Sequence, residues 1–72
     1  MKIDGITVHQ KVTADAVVEA CERAMNSLAD PGFCVACGAE AKNVEPDARL
    51  YKCRACGEYA VYGAQELLLY FC

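Results

Sequence analysis

The chain has 72 residues and a mass of 7.8 kDa, with 56% hydrophobic residues, 24% charged residues and a formal net charge of −3. A chain this short forms one small domain, and it buries too little apolar surface to fold comfortably without a cross-link or a metal. This composition excludes a disordered tail, and the acidic balance argues against nucleic acid as the first expected partner.

The N-terminal part of the chain predicts a short strand followed by an amphipathic helix. Ile6, Val8 and Val12 fit a strand, and Gly5 marks a turn before it. Thr13 is the predicted N-cap of a helix over residues 14–29, which ends at the Asp-Pro-Gly sequence that follows. The apolar face of this helix is expected from residues at spacings of three and four: Val17, Val18, Cys21, Ala24, Met25 and Leu28.

The middle of the chain repeats one cysteine pair, so that C-x-x-C-G occurs at 34–38 and again at 53–57. We call these turns the first knuckle and the second knuckle. Fifteen residues separate the two pairs, a spacing typical of a tetrahedral zinc site. Two opposed turns can supply the four corners that Zn²⁺ prefers. The pattern therefore predicts one structural zinc ion bound by four thiolates, those of Cys34, Cys37, Cys53 and Cys56.

The residues around the cysteines fit this interpretation. Gly38 and Gly57 are expected to adopt positive φ, which lets backbone N–H groups point at the sulfurs. Four thiolates contribute −4 and zinc +2, so the formal net charge of −3 becomes −5 in the metal-bound chain. Lys52 and Arg54 flank Cys53, and we expect them to offset part of this local charge.

Strands and a helix are predicted around and after the second knuckle. Val44 and the pair Leu50 and Tyr51 are candidate strand positions on either side of a turn at 45–48, which would be a hairpin tip. A strand is expected over 59–62, with Tyr59 and Val61 on one face. Residues 64–71 predict a short terminal helix that needs packing to be stable.

Other uses of the cysteines are less well supported by the sequence. Two disulfides would suit an exported protein, but no export signal is visible, and no apolar run approaches the length of a membrane span. A redox C-x-x-C typically occurs once, at the start of a helix. We therefore expect a cytoplasmic protein with reduced cysteines, in which Cys21 is a small core residue and Cys72 a terminal thiol.

The two knuckles resemble the zinc-ribbon class, in which C-x-x-C-G turns on facing β-hairpins surround one structural zinc ion; the likeness covers residues 33–62. Pro-Gly-Phe at 31–33, Val-Glu-Pro-Asp-Ala-Arg at 44–49 and the sequence at 61–68 are also similar to those of small uncharacterised zinc-ribbon proteins of bacteria and phages. This second likeness implies a fold and a metal, and it brings no activity with it.

Two further families share part of the pattern. Rubredoxins hold iron in four cysteines, but they have a longer gap and a heavily aromatic core, while this chain has no Trp. Pro-Asp-Ala-Arg between two knuckles also resembles the TraR/DksA class, which enters the secondary channel of RNA polymerase. That class lacks the glycine of the second knuckle and continues there as a helix.

The fold class expected from these elements is α+β. A single domain over 1–72 divides into a strand and amphipathic helix at 1–32, a zinc ribbon at 33–63 and a short C-terminal helix at 64–72. A four-cysteine site leaves no open position for water or substrate, and His9, the one histidine, cannot complete a catalytic set. The sequence therefore predicts a non-catalytic interaction module.

A partner protein is the preferred ligand of this module, which would act as an adaptor or regulator. The charged turn and the apolar C-terminus are the expected contact surfaces, and the terminus could also form a homodimer. The alternative is a nucleic-acid-binding or polymerase-associated regulatory factor, in which exposed tyrosines stack on bases. The competing interpretation of Tyr51, Tyr59 and Tyr62 is that these side chains pack inside the domain. The candidate partner-binding residues are Glu45, Asp47, Arg49, Lys52, Arg54, Leu68 and Phe71.

Overall fold

The computed structural model describes residues 1–26 and 30–71, and in this part of the chain it contains two helices and two antiparallel sheets. The α+β architecture predicted from the sequence is confirmed at this level. Leu28 and Cys72, which the sequence analysis assigned to a helix face and a terminal thiol, lie outside the described residues. The elements in chain order are β1 (Lys2–Ile3), β2 (Ile6–Thr7), α1 (Ala14–Asn26), β3 (Gly32–Cys34), β4 (Glu40–Ala41), β5 (Tyr51–Lys52), β6 (Tyr59–Gly63) and α2 (Ala64–Phe71).

The first two strands form a small hairpin, where the sequence predicted one short strand that included Ile6, Val8 and Val12. Asp4 and Gly5 have φ values of 51° and 82°. Two consecutive positive φ angles are typical of the tight turns in hairpins whose strands are joined by a two-residue loop. The second strand ends at Thr7, so Val8 and Val12 are not strand residues. Val12 is nevertheless buried, because it packs into the core just before α1.

Helix α1 begins as predicted. The Thr13 hydroxyl accepts a hydrogen bond from the Ala16 N–H at 3.1 Å, which confirms the N-cap. The structure follows the helix to Asn26, and residues 27–29 lie outside the described part of the chain.

The buried face of α1 differs from the predicted one. Val18 and Met25 are 42% and 82% exposed, whereas Val17, Ala20 and Cys21 are buried. The buried face of α1 is therefore a stripe rich in small side chains, and α1 packs against α2.

The four-stranded sheet has the order β4-β3-β6-β5, with every neighbouring pair antiparallel. The first knuckle joins β3 to β4, and the second knuckle joins β5 to β6. Each knuckle is thus the connection of one hairpin, and the ladder between β3 and β6 joins the two hairpins. Tyr59 and Val61 do not share an environment, because an irregularity in the pairing of β5 with β6 leaves Tyr59 64% exposed and Val61 3% exposed.

Residues 42–50 do not form a hairpin tip, contrary to the sequence prediction. Since β4 and β5 are opposite edges of the sheet, this loop crosses from one edge to the other. The predicted turn is present, with the Ala48 N–H bonded to the Glu45 carbonyl at 2.9 Å. The loop packs over Gly63, whose N–H donates to the Ala48 carbonyl at 3.1 Å; a side chain at Gly63 would meet the carbonyl oxygens of Glu45 and Pro46. Leu50, with φ at 57°, precedes β5 and does not belong to it.

Helix α2 spans the predicted residues and packs against α1. Leu67 is fully buried, and Leu68 and Phe71 are half-buried against the same core. The apolar terminus is therefore mostly used within the chain, and among the described residues of α2 only Leu69, 72% exposed, is a large exposed apolar side chain. Neither described helix has the length and hydropathy needed to cross a membrane.

Candidate metal centre and the adjoining cleft

The two knuckles have the same local backbone structure. In each, the glycine N–H donates to the carbonyl of the first cysteine, at 2.8 Å from Gly38 to Cys34 and at 2.9 Å from Gly57 to Cys53. The φ angles of the two glycines are 80° and 81°, which confirms the predicted positive φ at both positions. The sequence repeat is therefore also a repeat of conformation.

The four sulfur atoms of Cys34, Cys37, Cys53 and Cys56 lie within 4.8 Å of one another. None of the four is in a disulfide. Two contacts link the knuckles, at 3.6 Å between the sulfurs of Cys34 and Cys56 and 3.7 Å between those of Cys37 and Cys53. The fold thus brings together the set of cysteines that the spacing predicted.

The spacing of these sulfurs suits one metal ion. A tetrahedral site with metal–sulfur bonds of about 2.3 Å has sulfur–sulfur edges of about 3.8 Å. The two separations across the knuckles, 3.6 and 3.7 Å, are close to this value, and all four sulfurs lie within 4.8 Å of one another. Four cysteine sulfurs are also the donor type that binds zinc or iron well. The residues present therefore fit one four-coordinate metal ion.

The protein shifts the pKa values of Cys34 and Cys53, the first cysteine of each knuckle, in opposite directions. Burial raises the pKa of the Cys34 thiol to about 12, although the N–H groups of Cys37 and Ala36 act in the other direction. The Cys56 N–H, 3.4 Å from the Cys53 sulfur, lowers the pKa of Cys53 to about 6, and the Ala55 N–H at 3.3 Å adds to this effect. The predicted N–H contacts to sulfur are therefore confirmed. A divalent cation replaces the protons of such a set when it binds.

The N-terminal segment covers the first knuckle. The His9 N–H donates to the Val35 carbonyl at 2.6 Å, and the imidazole Nδ1 accepts a hydrogen bond from the Lys11 N–H at 3.1 Å. A Cβ at Gly38 would lie 2.7 Å from this Nδ1 and 3.1 Å from the Lys11 Cβ. His9 therefore packs beside the metal centre although it is remote in sequence, and it is not part of the thiol cluster.

The second knuckle is not covered in this way. Nothing in the described part of the chain lies within 4 Å of the position that a Cβ at Gly57 would take. All residues from Arg54 to Glu58 are exposed, and this includes Cys56, whereas Cys34 is fully buried. One side of the cluster is thus buried in the domain, and the other faces solvent.

An open cleft of about 550 Å³ adjoins the second knuckle. Both edge strands border it, and Val61 lies among its lining residues. Its lining includes three cationic side chains, those of Lys42, Lys52 and Arg54, together with Tyr51. Within residues 1–26 and 30–71, none of these three cations forms a salt bridge.

Among the described residues, Glu40 is the one carboxylate in the lining, and it is already neutralised. Glu40 Oε2 accepts from the Arg23 guanidinium at 2.8 Å. Apart from Cys53, which belongs to the thiol cluster, the described lining residues therefore have a net positive charge in a chain whose formal net charge is −3.

The residues predicted to bind a partner have different surroundings. Lys52 and Arg54 line the cleft. Arg49 lies within 3.5 Å of an Asp4 oxygen, 3.6 Å of a Glu66 oxygen and 3.1 Å of the Tyr70 hydroxyl, so it links the N-terminal hairpin to α2. Leu68 and Phe71 pack on the core.

The carboxylates of the predicted turn lie beside the cleft residue Tyr51. Glu45 raises the pKa of the Tyr51 hydroxyl by its charge and by a hydrogen bond, and Asp47 adds a smaller electrostatic effect. The exposed turn therefore has negative charge on the flank of the positive cleft.

The sequence did not predict that Lys42 lines the cleft or that His9 packs on the first knuckle. Lys42 follows β4 and reaches the cleft only because the two sheet edges border one space. The contact of His9 with the first knuckle depends on tertiary packing, and no local pattern signals it. Tyr51 was considered only as one of three tyrosines, of which Tyr62 is fully buried.

Comparisons of the chain with protein-family models, with curated proteins and with solved structures found no significant match.

Proposed function

We propose that this chain is a non-catalytic protein-binding module whose ribbon is held together by one structural zinc ion. Four thiolates, those of Cys34, Cys37, Cys53 and Cys56, would occupy every position of a tetrahedral ion. Such a site has no free position for water or a substrate, and zinc has no redox chemistry of its own. The role of the metal in this proposal is to fold the domain, because a structural zinc site contributes on the order of 10 kcal/mol of apparent binding free energy.

The positive cleft is the observation that carries the binding role. Lys42, Lys52 and Arg54 line a space of about 550 Å³ beside the metal cluster, and none of them forms a salt bridge within the described residues. Lys52 and Arg54 would offset part of the −2 charge of the zinc-bound thiolates, while Lys42 does not flank a cysteine. Cations without a salt bridge on a rigid scaffold favour a ligand with negative charge. A protein with carboxylates on its surface supplies that charge together with the shape to fill an open cleft.

The resemblance of the knuckles to the zinc-ribbon class supports the structural role of the metal and brings no activity with it. Self-association is not included in the proposal, since most of the apolar surface of α2 is buried within the chain.

Metal analysis tests the first half of the proposal. Protein purified without added metal should contain one zinc per chain and no iron, and each serine substitution in the cluster should lower this ratio. Cys21→Ser is the matched control, because Cys21 is buried but lies outside the cluster. A cluster that contains iron, or that is oxidised to disulfides, would contradict it.

Site-specific photocrosslinking tests the second half. A benzoylphenylalanine at Tyr51, 44% exposed in the cleft lining, should crosslink to a protein in the native host. The same group at Leu69, 72% exposed on α2, is the control position. The partner should then bind again as a purified protein, and binding should weaken in Lys52→Gln. Crosslinking at Leu69 alone would move the binding surface to α2.

Nucleic-acid binding is the second candidate function, since two exposed tyrosines lie beside Lys52. Tyr51 and Tyr59 are 44% and 64% exposed, and rings of this kind can stack on the bases of a single strand. Phosphate contacts would then come from Lys52 and Arg54, and affinity for an oligothymidylate should fall steeply with salt. A complex insensitive to salt, or absence of binding, counts against this candidate.

A further inference from the structure

The structure contains one example of a peptide segment bound to a knuckle. Residues 8–11 lie on the first knuckle, where the His9 N–H donates to the Val35 carbonyl at 2.6 Å and the imidazole contacts the glycine turn. Because the second knuckle has the same conformation, Arg54 occupies the position equivalent to Val35, and Gly57 that of Gly38. Residues 9–12 form a turn, closed by the Val12 N–H to the His9 carbonyl at 3.0 Å, so the contact with the first knuckle is made through the His9 backbone and side chain. A backbone surface that already binds one segment of chain is thus present twice.

The second copy of this surface has no such cover. The Arg54 carbonyl accepts no backbone hydrogen bond from residues 1–26 or 30–71, and the space above Gly57 is open. The positive cleft begins at the same knuckle, because its lining includes Arg54 and Ala55. A segment that lies on the second knuckle can therefore continue into the cleft, past Lys52 and Lys42.

We propose that the second knuckle and the cleft together bind an extended segment of a partner protein that bears several carboxylates. One backbone N–H of this segment donates to the Arg54 carbonyl as that of His9 donates to the Val35 carbonyl, and its carboxylates pair with Lys42, Lys52 and Arg54. This inference rests on the proposed function and specifies the chemical class of the partner.

The charges around the cleft favour an acidic peptide over a nucleic acid. Tyr51 is the one aromatic ring in the lining, and Glu45 and Asp47 flank it with negative charge. A phosphodiester chain that stacks a base on this ring would bring phosphates close to these carboxylates. A peptide can place its carboxylates at the cations and an uncharged residue beside Tyr51. The strands that border the cleft, β4 and β5, are the two edge strands of the sheet in the described part of the chain, and edge strands can form main-chain hydrogen bonds with an extended segment.

The charge requirement is tested with fluorescein-labelled hexaglutamate, the zinc-loaded full chain and fluorescence anisotropy. Hexaglutamate should bind saturably, while hexaglutamine should not. The double variant Lys42→Gln/Lys52→Gln should weaken binding by about fivefold or more. Its control, Lys2→Gln/Lys11→Gln, has the same net charge and alters two exposed lysines outside the lining, so it should leave the affinity within about twofold of the parent chain.

The use of the second knuckle is tested by filling the space above it. Asparagine tolerates positive φ, so Gly57→Asn should retain one zinc per chain, and its side chain should weaken hexaglutamate binding about tenfold by occupying the docking position. Gly5→Asn is the matched control: its φ is 82°, nothing in the described chain lies within 4 Å of the added Cβ, and it belongs to the N-terminal hairpin.

Several results would overturn this inference. One is that hexaglutamate does not bind the zinc-loaded chain. Another is that Gly5→Asn and Gly57→Asn weaken hexaglutamate binding equally. A third is that an oligothymidylate of eight nucleotides binds more tightly than hexaglutamate, with the same dependence on Lys42 and Lys52. If a protein crosslinks at Tyr51 while hexaglutamate does not bind, the proposed function stands and only the acidic segment is refuted. If nucleic acid alone crosslinks there, the proposed function fails as well.

Discussion

The unequal cover of the two knuckles leads to a quantitative prediction about their glycines. Gly38→Ala and Gly57→Ala place the same methyl group at φ angles of 80° and 81°. The backbone cost is therefore equal, about 1–2 kcal/mol for an alanine in the left-handed region. At Gly57 the methyl group meets nothing within 4 Å in the described chain, so we expect no further loss.

At Gly38 the same methyl group meets the N-terminal segment. Its Cβ would lie 2.7 Å from His9 Nδ1 and 3.1 Å from the Lys11 Cβ, so the segment must move or be displaced. Overpacking of this kind costs about 1–3 kcal/mol, which brings the expected total for Gly38→Ala to about 2–5 kcal/mol. Displacement also weakens the hydrogen bond from the His9 N–H to the Val35 carbonyl.

Urea unfolding at a fixed excess of zinc, followed by circular dichroism, measures both free energies of unfolding. A double-mutant cycle with His9→Ala isolates the steric part, because truncation of the imidazole should recover most of the extra loss in Gly38→Ala and none in Gly57→Ala. Equal destabilisation by the two glycine substitutions, or additive effects of His9→Ala and Gly38→Ala, would refute the argument.

Further predictions concern the core and the helices. Burial, and then the 2.6 Å hydrogen bond to Asp4, raise the pKa of Tyr62 above its ordinary value, so the native state keeps this proton at alkaline pH after the unfolded chain has lost it. The stabilisation is complete below about pH 10, and above it the free energy of unfolding should fall by about 1.4 kcal/mol per pH unit, a slope that Tyr62→Phe should remove. An unchanged slope in that variant would contradict the assignment. Thr13→Ala should cost about 1 kcal/mol in urea unfolding through loss of the cap to the Ala16 N–H, and Thr13→Ser should retain most of it. Addition of a strong chelator to the zinc-loaded chain should unfold the ribbon, with loss of the strand signal in circular dichroism, and added zinc should restore it; a ribbon that persists without metal would refute the structural role.

The knuckles could be predicted from the sequence because their structure is local. Two cysteines and a glycine within five residues determine a turn that points two sulfurs to one side, and the spacing of two such turns limits how they can meet. Helix α2 was also predicted correctly, since the glycine that ends β6 comes directly before the first residue of the helix, and an apolar run begins at Leu67.

The parts that sequence analysis missed depend on contacts between distant segments. The course of residues 42–50 follows from the order of the strands and from the backbone approach at Gly63, and neither has a signal within the loop itself. The exposed positions of Val18 and Met25 follow from the side of α1 that α2 covers. The cleft likewise exists only once both sheet edges are in place, which is why Lys42 was not singled out.

The ladder between β3 and β6 joins two local hairpins, and this arrangement affects how the stability of the ribbon depends on free zinc. Each hairpin contributes two of the four sulfurs, and the ladder pairs residues as far apart as Gly32 and Gly63. A bound ion and this ladder close the same loop of chain, so the loss of chain entropy is incurred once for both. The proposed zinc would then couple folding to metal supply. Each tenfold change in free zinc above the dissociation constant would shift the stability of the ribbon, and with it the availability of the cleft, by about 1.4 kcal/mol.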